Sequence, residues 1–291
     1  MRSFFSAVAV LLFLSPKATA ASCCGGGMAI PSLIAGDEKA NLSAEISHAR
    51  TAVEVSSRGI WQEAPANESI QTLRLSGSHI FLDRFLTGVS VPIVTRSQSH
   101  SSNSGLGDTI LNIGYEALPD WEYSTWRPKG ITYLSLTLPT QQDGRGRGFW
   151  TLGAGVLATK NYRQWDFFLA TETHYSFAKE TPAELRSQGV EGESVPGWGG
   201  SAGLGTGYNI RDTRLGGAVN FVYEDAISTR GTINSTGSFS RYASLSASLS
   251  RVFLENWSAA LTYSDQTLLG APLATSLNRS FVFMTQRRFS R

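Results

Sequence analysis

His174 and Ser176 are the first residues in this sequence whose types and spacing suggest a reaction. A hydrolase needs a hydroxyl nucleophile, an imidazole base and a third group that orients the base. Residues two apart on a β-strand share a face at about 6.5–7 Å separation. A strand over 165–177 therefore sets His174 and Ser176 on one side, together with Asp166 and Glu172. No Asn occurs in the thirty residues after Ser176 to orient the imidazole. The same stripe reads as a polar lining that binds a cation or steers a solute. Cys23 and Cys24 form a second candidate, followed by Gly25, Gly26 and Gly27. A bond between adjacent thiols is strained, so this pair reads as a soft-metal ligand set such as Cu(I) would take, as a lipid attachment at Cys23, as a bridge to another chain, or as a plain tail. Gly144, Arg145, Gly146, Arg147 and Gly148 superficially suggest a phosphate cradle. They lack the strand-to-helix setting and the Lys-Ser/Thr of a P-loop, so a loop facing an anionic surface is the better reading.

The elements that position these groups are β-strands. Charged residues are 16% of the 291, aromatics are 11%, and 29 residues are Gly. Few charges with many glycines, aromatics and hydroxyl residues make an all-β composition. A net charge of +2 excludes a nucleic-acid footprint, and two cysteines exclude a disulfide framework or a four-thiolate zinc site. Alternation with period two recurs along the chain. Thr109, Leu111, Ile113 and Tyr115 oppose Asn112, Gly114 and Glu116. Ala243, Leu245, Ala247 and Leu249 oppose Ser244, Ser246, Ser248 and Ser250.

Twelve strands are expected, at 41–55, 69–81, 85–96, 107–118, 130–139, 149–160, 165–178, 199–210, 214–225, 239–252, 257–267 and 278–289. Long polar connections alternate with short turns, apart from the eleven residues at 119–129. Outer-membrane barrels are built in this way, with long loops outside and short turns in the periplasm. Aromatics near strand ends, among them Trp150, Trp165, Tyr223, Trp257 and Tyr263, suit interfacial girdles. Inward candidates for the lumen are Arg74, Asn112, Glu116, Asp166, Glu172, His174 and Asn220, with Glu45 less secure because alternation breaks after His48.

Residues 1–20 read as a cleaved secretory signal: Arg2, an apolar run over 4–14, then Ala18-Thr19-Ala20. Residues 21–40 follow as a flexible periplasmic segment carrying Cys23 and Cys24, and 41–291 as the barrel. The final strand carries Phe281, Phe283 and Phe289, an aromatic ending of the kind used in barrel assembly, with Ser290 and Arg291 beyond it.

Ser104-Gly105-Leu106-Gly107-Asp108 leads into a strand ending Gly114-Tyr115. Leu138-Pro139-Thr140 precedes the glycine-rich loop, and Leu152-Gly153-Ala154-Gly155 and 203–208 follow. Over roughly 40–291 the chain resembles the outer-membrane barrel family labelled "putative meta-pathway of phenol degradation", although Gln141 stands where that pattern has Gly. The resemblance implies a transporter-like barrel passing small aromatic or apolar molecules. His174-Tyr175-Ser176 also resembles the His-x-Ser of outer-membrane phospholipases, but Phe177-Ala178 replaces the Asn-Gly that continues that motif.

The sequence therefore predicts an all-β, transmembrane, antiparallel up-and-down barrel in a bacterial outer membrane. The expected partners are membrane lipids, the barrel-assembly machinery and a small solute, with no nucleic acid, no cofactor and no enzymatic activity. Plugging is the alternative, and inward Phe168, Leu157 and Met284 favour it.

Overall fold

The structure is a computed structural model and describes residues 33–34, 38–64, 68–98, 101–119, 126–140, 148–180, 192–231 and 235–290. The expected leader, Cys23-Cys24 and Gly144 to Arg147 lie outside the described residues. Twelve long strands follow in chain order: β1 (Glu38–Val55), β2 (Ser69–Phe81), β3 (Phe85–Gln98), β4 (Thr109–Leu118), β5 (Lys129–Leu138), β6 (Thr151–Tyr162), β7 (Trp165–Ser176), β8 (Gly197–Ile210), β9 (Thr213–Glu224), β10 (Ser240–Leu254), β11 (Trp257–Asp265) and β12 (Thr275–Ser290). Each pairs antiparallel with the next, and β12 pairs with β1 from Glu38↔Ser290 to Val55↔Thr275. The sheet is therefore a closed 12-strand antiparallel barrel, and there is no helix among the described residues.

Alternation decides which side of each strand faces in. On β7, Trp165, Phe167 and Leu169 are exposed on the outer wall, while Asp166, Phe168 and Ala170 are buried inside. The outer wall is apolar all round: Ile46, Ile113, Leu134, Leu261 and Phe281 are each at least 50% exposed. An apolar surface of this extent is stable only in an apolar solvent, since water-soluble monomers keep such patches small. Aromatic pairs mark both rims. Phe85 and Tyr115 (5.0 Å between ring centroids) and Trp165 and Tyr208 (4.9 Å) lie by the short turns. Tyr175 and Trp198 (5.2 Å) and Tyr263 and Phe281 (4.9 Å) lie towards the long connections.

The short turns use left-handed backbone without glycine. Leu82 and Asp83 have φ of 49° and 60°, Arg163 55° and Arg211 53°. Such tight connections fit the right-handed twist of the flanking strands. Three turns comprise only two residues each, Arg163-Gln164, Arg211-Asp212 and Glu255-Asn256.

The long connections are more ordered than polar loops. Trp61–Glu63 adds to the end of β1, and Ser101–Leu106 folds back on the last six residues of β3. Lys179–Glu180, Gly192–Val195, Ser228–Gly231 and Ser235–Thr236 make a separate four-stranded sheet. These pieces are short and polar on both faces, so no alternation announces them.

Arginine on the outer wall at mid-height is expected to be costly. Leu134→Arg should lower folding stability in a bilayer by about 2–4 kcal/mol, measured by denaturant titration in lipid vesicles.

Candidate functional site: the barrel interior

The interior is built from inward residues of all twelve strands, and it changes character along its length. Near the short-turn end, carboxylates and cations close on one another. Asp166, on the second position of β7, accepts from Arg214 Nε at 2.7 Å and from Nη2 at 2.6 Å, a bidentate pair, and from Asn209 Nδ2 at 2.9 Å. Both ion-pair side chains are almost completely buried. Glycine makes the room: a Cβ at Gly207 would stand 2.3 Å from Arg214 Nε. Lys129 pairs with Glu116 at 3.2 Å in the same way. The Ser78 hydroxyl donates to Asn41 at 2.7 Å.

Beside these pairs lies an apolar patch. Ile80, Leu86, Ile131, Leu157 and Ala170 point inward from five strands and pack around Ile34, which is 1% exposed. Ile34 precedes β1, so the chain enters the barrel before it starts to build the wall. Leu33 packs on the same cluster. Of the patch residues, Leu157 was expected inward from the sequence, and Ile34, Ile80, Leu86 and Ile131 were not.

Farther towards the long connections the lining is polar again. The Tyr133 hydroxyl donates to Glu172 Oε2 at 3.0 Å. His174 Nε2 meets Glu224 Oε2 at 3.2 Å, and its Nδ1 lies 3.9 Å from Glu172. Gly199 admits the imidazole, because a Cβ there would fall 2.3 Å from His174 Nε2. Arg74 bonds Glu45 at 2.9 Å across β1 and β2.

One side of the interior has almost no side-chain bulk. Inward positions are Gly203, Gly205 and Gly207 on β8, Gly216 and Ala218 on β9, and Ser244, Ser246, Ser248 and Ser250 on β10. Phe168 leans on this wall, where a Cβ at Gly205 would come within 2.3 Å of its ring. Asn220 sits in it, donating to Ser244 at 3.5 Å with its Oδ1 unbonded.

The inward candidates from sequence thus face inward, but they form separate pairs rather than one cluster. Asp166 goes to Arg214, Glu116 to Lys129, Arg74 to Glu45, and Glu172 and His174 to one network. Asn112 and Asn220 are buried in the wall, Asn220 beside Ser244. Reading the sequence missed Arg214, Lys129, Tyr133 and Glu224. Alternation alone gives their inward direction, but naming the partners requires the register between strands. His174 and Ser176 share a face, as expected. However, Ser176 exchanges a hydrogen bond with Thr151 at 2.8 Å, and His174 is held by Glu224, so the imidazole is not engaged with the hydroxyl. Both point away from the outer wall. No group of three or more metal-ligating side chains occurs among the described residues.

No protein-family model matches the chain, and no curated protein does. Solved structures do. An outer-membrane channel from Pseudomonas putida F1 superposes with a TM-score of 0.69 at 14% identity, over 89% of this chain and 97% of that one. The chain has the fold of an outer-membrane channel. The β domain of the Bordetella autotransporter BrkA (TM-score 0.49, 13% identity, 87% and 100% covered) and the KdgM porin (0.44, 13%, 85% and 99%) are more distant.

The Asp166–Arg214 pair sets a stability expectation. Removing one partner strands a buried charge, which costs about 3–5 kcal/mol. Asp166→Ala should show that loss in denaturant unfolding, and Asp166→Ala with Arg214→Met should recover most of it.

Proposed function

We propose that this chain is an outer-membrane barrel that lets a small, predominantly apolar or aromatic solute pass without energy input. The observation that carries the reading is the inward apolar patch of Ile80, Leu86, Ile131, Leu157 and Ala170, covered by Ile34. A lumen serving ions alone has no use for an oily contact surface, whereas an apolar solute gains from each contact it makes there. The paired charges above and below it would repel a free ion less than they fix the wall, since each is already neutralised. Glycines on β8 and β9 admit Phe168, Arg214 and His174 against the wall, and the serines of β10 add little bulk of their own.

On this reading residues 1–20 are a cleaved signal, 21–40 are a periplasmic segment that leads into the barrel, and the long connections face outward. The assembly machinery inserts the chain, and no cofactor or reaction is involved.

Ile34 also supports a second reading, a closed barrel with a structural role, because it occupies the apolar patch. Planar-bilayer recording separates the two. If Ile34 is a displaceable stopper, the wild type should give small, flickering steps. Ile34→Asp should then raise conductance severalfold, because a carboxylate buried in that patch costs several kcal/mol. The same variant should admit an apolar fluorescent probe such as N-phenylnaphthylamine faster into proteoliposomes. Unchanged silence and unchanged probe entry from a folded Ile34→Asp barrel would favour the structural role.

A further inference from the structure

The seam where β12 meets β1 carries positive charge on its outer wall, just beyond the apolar belt. Outward residues of β1 run Leu42, Ile46, His48, Arg50, and those of β12 run Arg287, Phe283, Phe281, Arg279. Register sets Ile46 opposite Phe283, His48 opposite Phe281, and Arg50 directly opposite Arg279. Side chains opposite one another across antiparallel strands are about 5 Å apart at Cβ, and like charges there repel. One acid relieves the pair: Asp265 accepts from Arg279 Nε at 3.0 Å, yet 56% of the Arg279 side chain stays exposed. Arg50 is exposed, and among the described residues it has no carboxylate partner. His48 and its neighbour across β2, Gln71, are exposed on the same wall.

The height of this patch matters. Tyr263 and Phe281, one pair of the aromatic rim, are 4.9 Å apart between ring centroids and lie one outward step below Arg279. At the other end Arg287 stacks on Trp257 and Phe289, at 5.6 and 5.0 Å. Arg279 and Arg287 are eight residues apart, roughly 27 Å along the strand, or about 20 Å along the membrane normal at the usual tilt of such strands. The two arginine levels therefore bracket a bilayer core, and Arg50 with Arg279 falls at the headgroup level of the leaflet beside the long connections. A fork of guanidinium donors fits phosphate oxygens bidentately, and a shared phosphate turns repulsion between two arginines into attraction for both.

We propose that Arg50 and Arg279, flanked by His48 and Gln71, bind a phosphate of a phosphorylated glycolipid in the outer leaflet. The proposal rests on the reading of the chain as an outer-membrane barrel with its long connections outside. Native mass spectrometry of the full mature barrel, with purified bis-phosphorylated lipid A, its dephosphorylated form and phosphatidylglycerol as probes, tests it. Lipid A should be retained in preference to the other two. A cation at a membrane surface is worth about fivefold in affinity, so Arg50→Gln should cost roughly fivefold and Arg50→Gln with Arg279→Gln about thirtyfold. Arg50→Lys, which keeps the charge but loses the fork, should restore only part of the affinity, and Arg287→Gln at the opposite rim should keep all of it. Heat-modifiable gel migration verifies that each variant is folded. Equal retention by the wild type and the folded double variant, or of lipid A and its dephosphorylated form, would overturn the proposal, and equal retention of phosphatidylglycerol would overturn the glycolipid assignment. Leu268→Cys, in the exposed connection after β11 and with Cys23 and Cys24 changed to Ser, distinguishes the underlying reading. Labelling by an impermeant maleimide on intact cells places that connection outside, and lack of labelling overturns the orientation itself.

Discussion

A backbone amide or carbonyl left without a partner in hydrocarbon costs several kcal/mol, and an open sheet presents a whole row of them along each edge. The β12–β1 ladder removes both edges at once, from Glu38↔Ser290 to Val55↔Thr275. The rest of the architecture follows from it. With each strand paired on both sides around the circumference, the outer wall is free to be apolar, and period-two alternation then delivers every second residue to an enclosed interior. The polar inner residues are possible because the outer ones carry the contact with the apolar solvent.

The enclosed space imposes its own rules. A charge directed inward is cut off from bulk water, so it needs a partner: Glu116 finds Lys129 and Glu45 finds Arg74 on the neighbouring strand, and Asp166 reaches Arg214 across β8 at Gly207. Long side chains need space, and glycine provides it at the place of contact, at Gly207 for Arg214, Gly199 for His174 and Gly205 for Phe168. Large residues from β5 to β7 thus face a wall of Gly, Ala and Ser on β8 to β10. Ile34 and its apolar neighbours fill another part of the section.

Fold class and strand order were legible in the sequence because alternation and turn spacing are local signals. The expected strands at 69–81, 165–178 and 257–267 overlie β2, β7 and β11 almost residue for residue. The inward direction of Asp166, Glu172 and His174 was legible for the same reason. Their partners were not, since Arg214 lies 48 positions from Asp166 and Glu224 lies 50 from His174, and only interstrand register joins them. Ile34 was not legible either. It belongs to no strand, and a short apolar run before the first strand reads as a tail unless the apolar patch waiting for it is known. The strands in the long connections escaped notice because they are too short and too polar for a periodic signal.

The seam between β1 and β12 joins the two ends of the chain, Glu38 to Ser290. Eleven of the twelve interstrand contacts are hairpin neighbours or nearly so, and each closes only a short loop. The twelfth closes a loop of almost the whole chain, and its entropy must be met before any of its hydrogen bonds form. Closure is therefore expected to be the late, cooperative step of assembly. Until it happens the chain is a curved sheet with two adhesive edges, open to pairing with itself or with a neighbour, which makes the time spent before the ends meet the most hazardous stage in the life of this molecule.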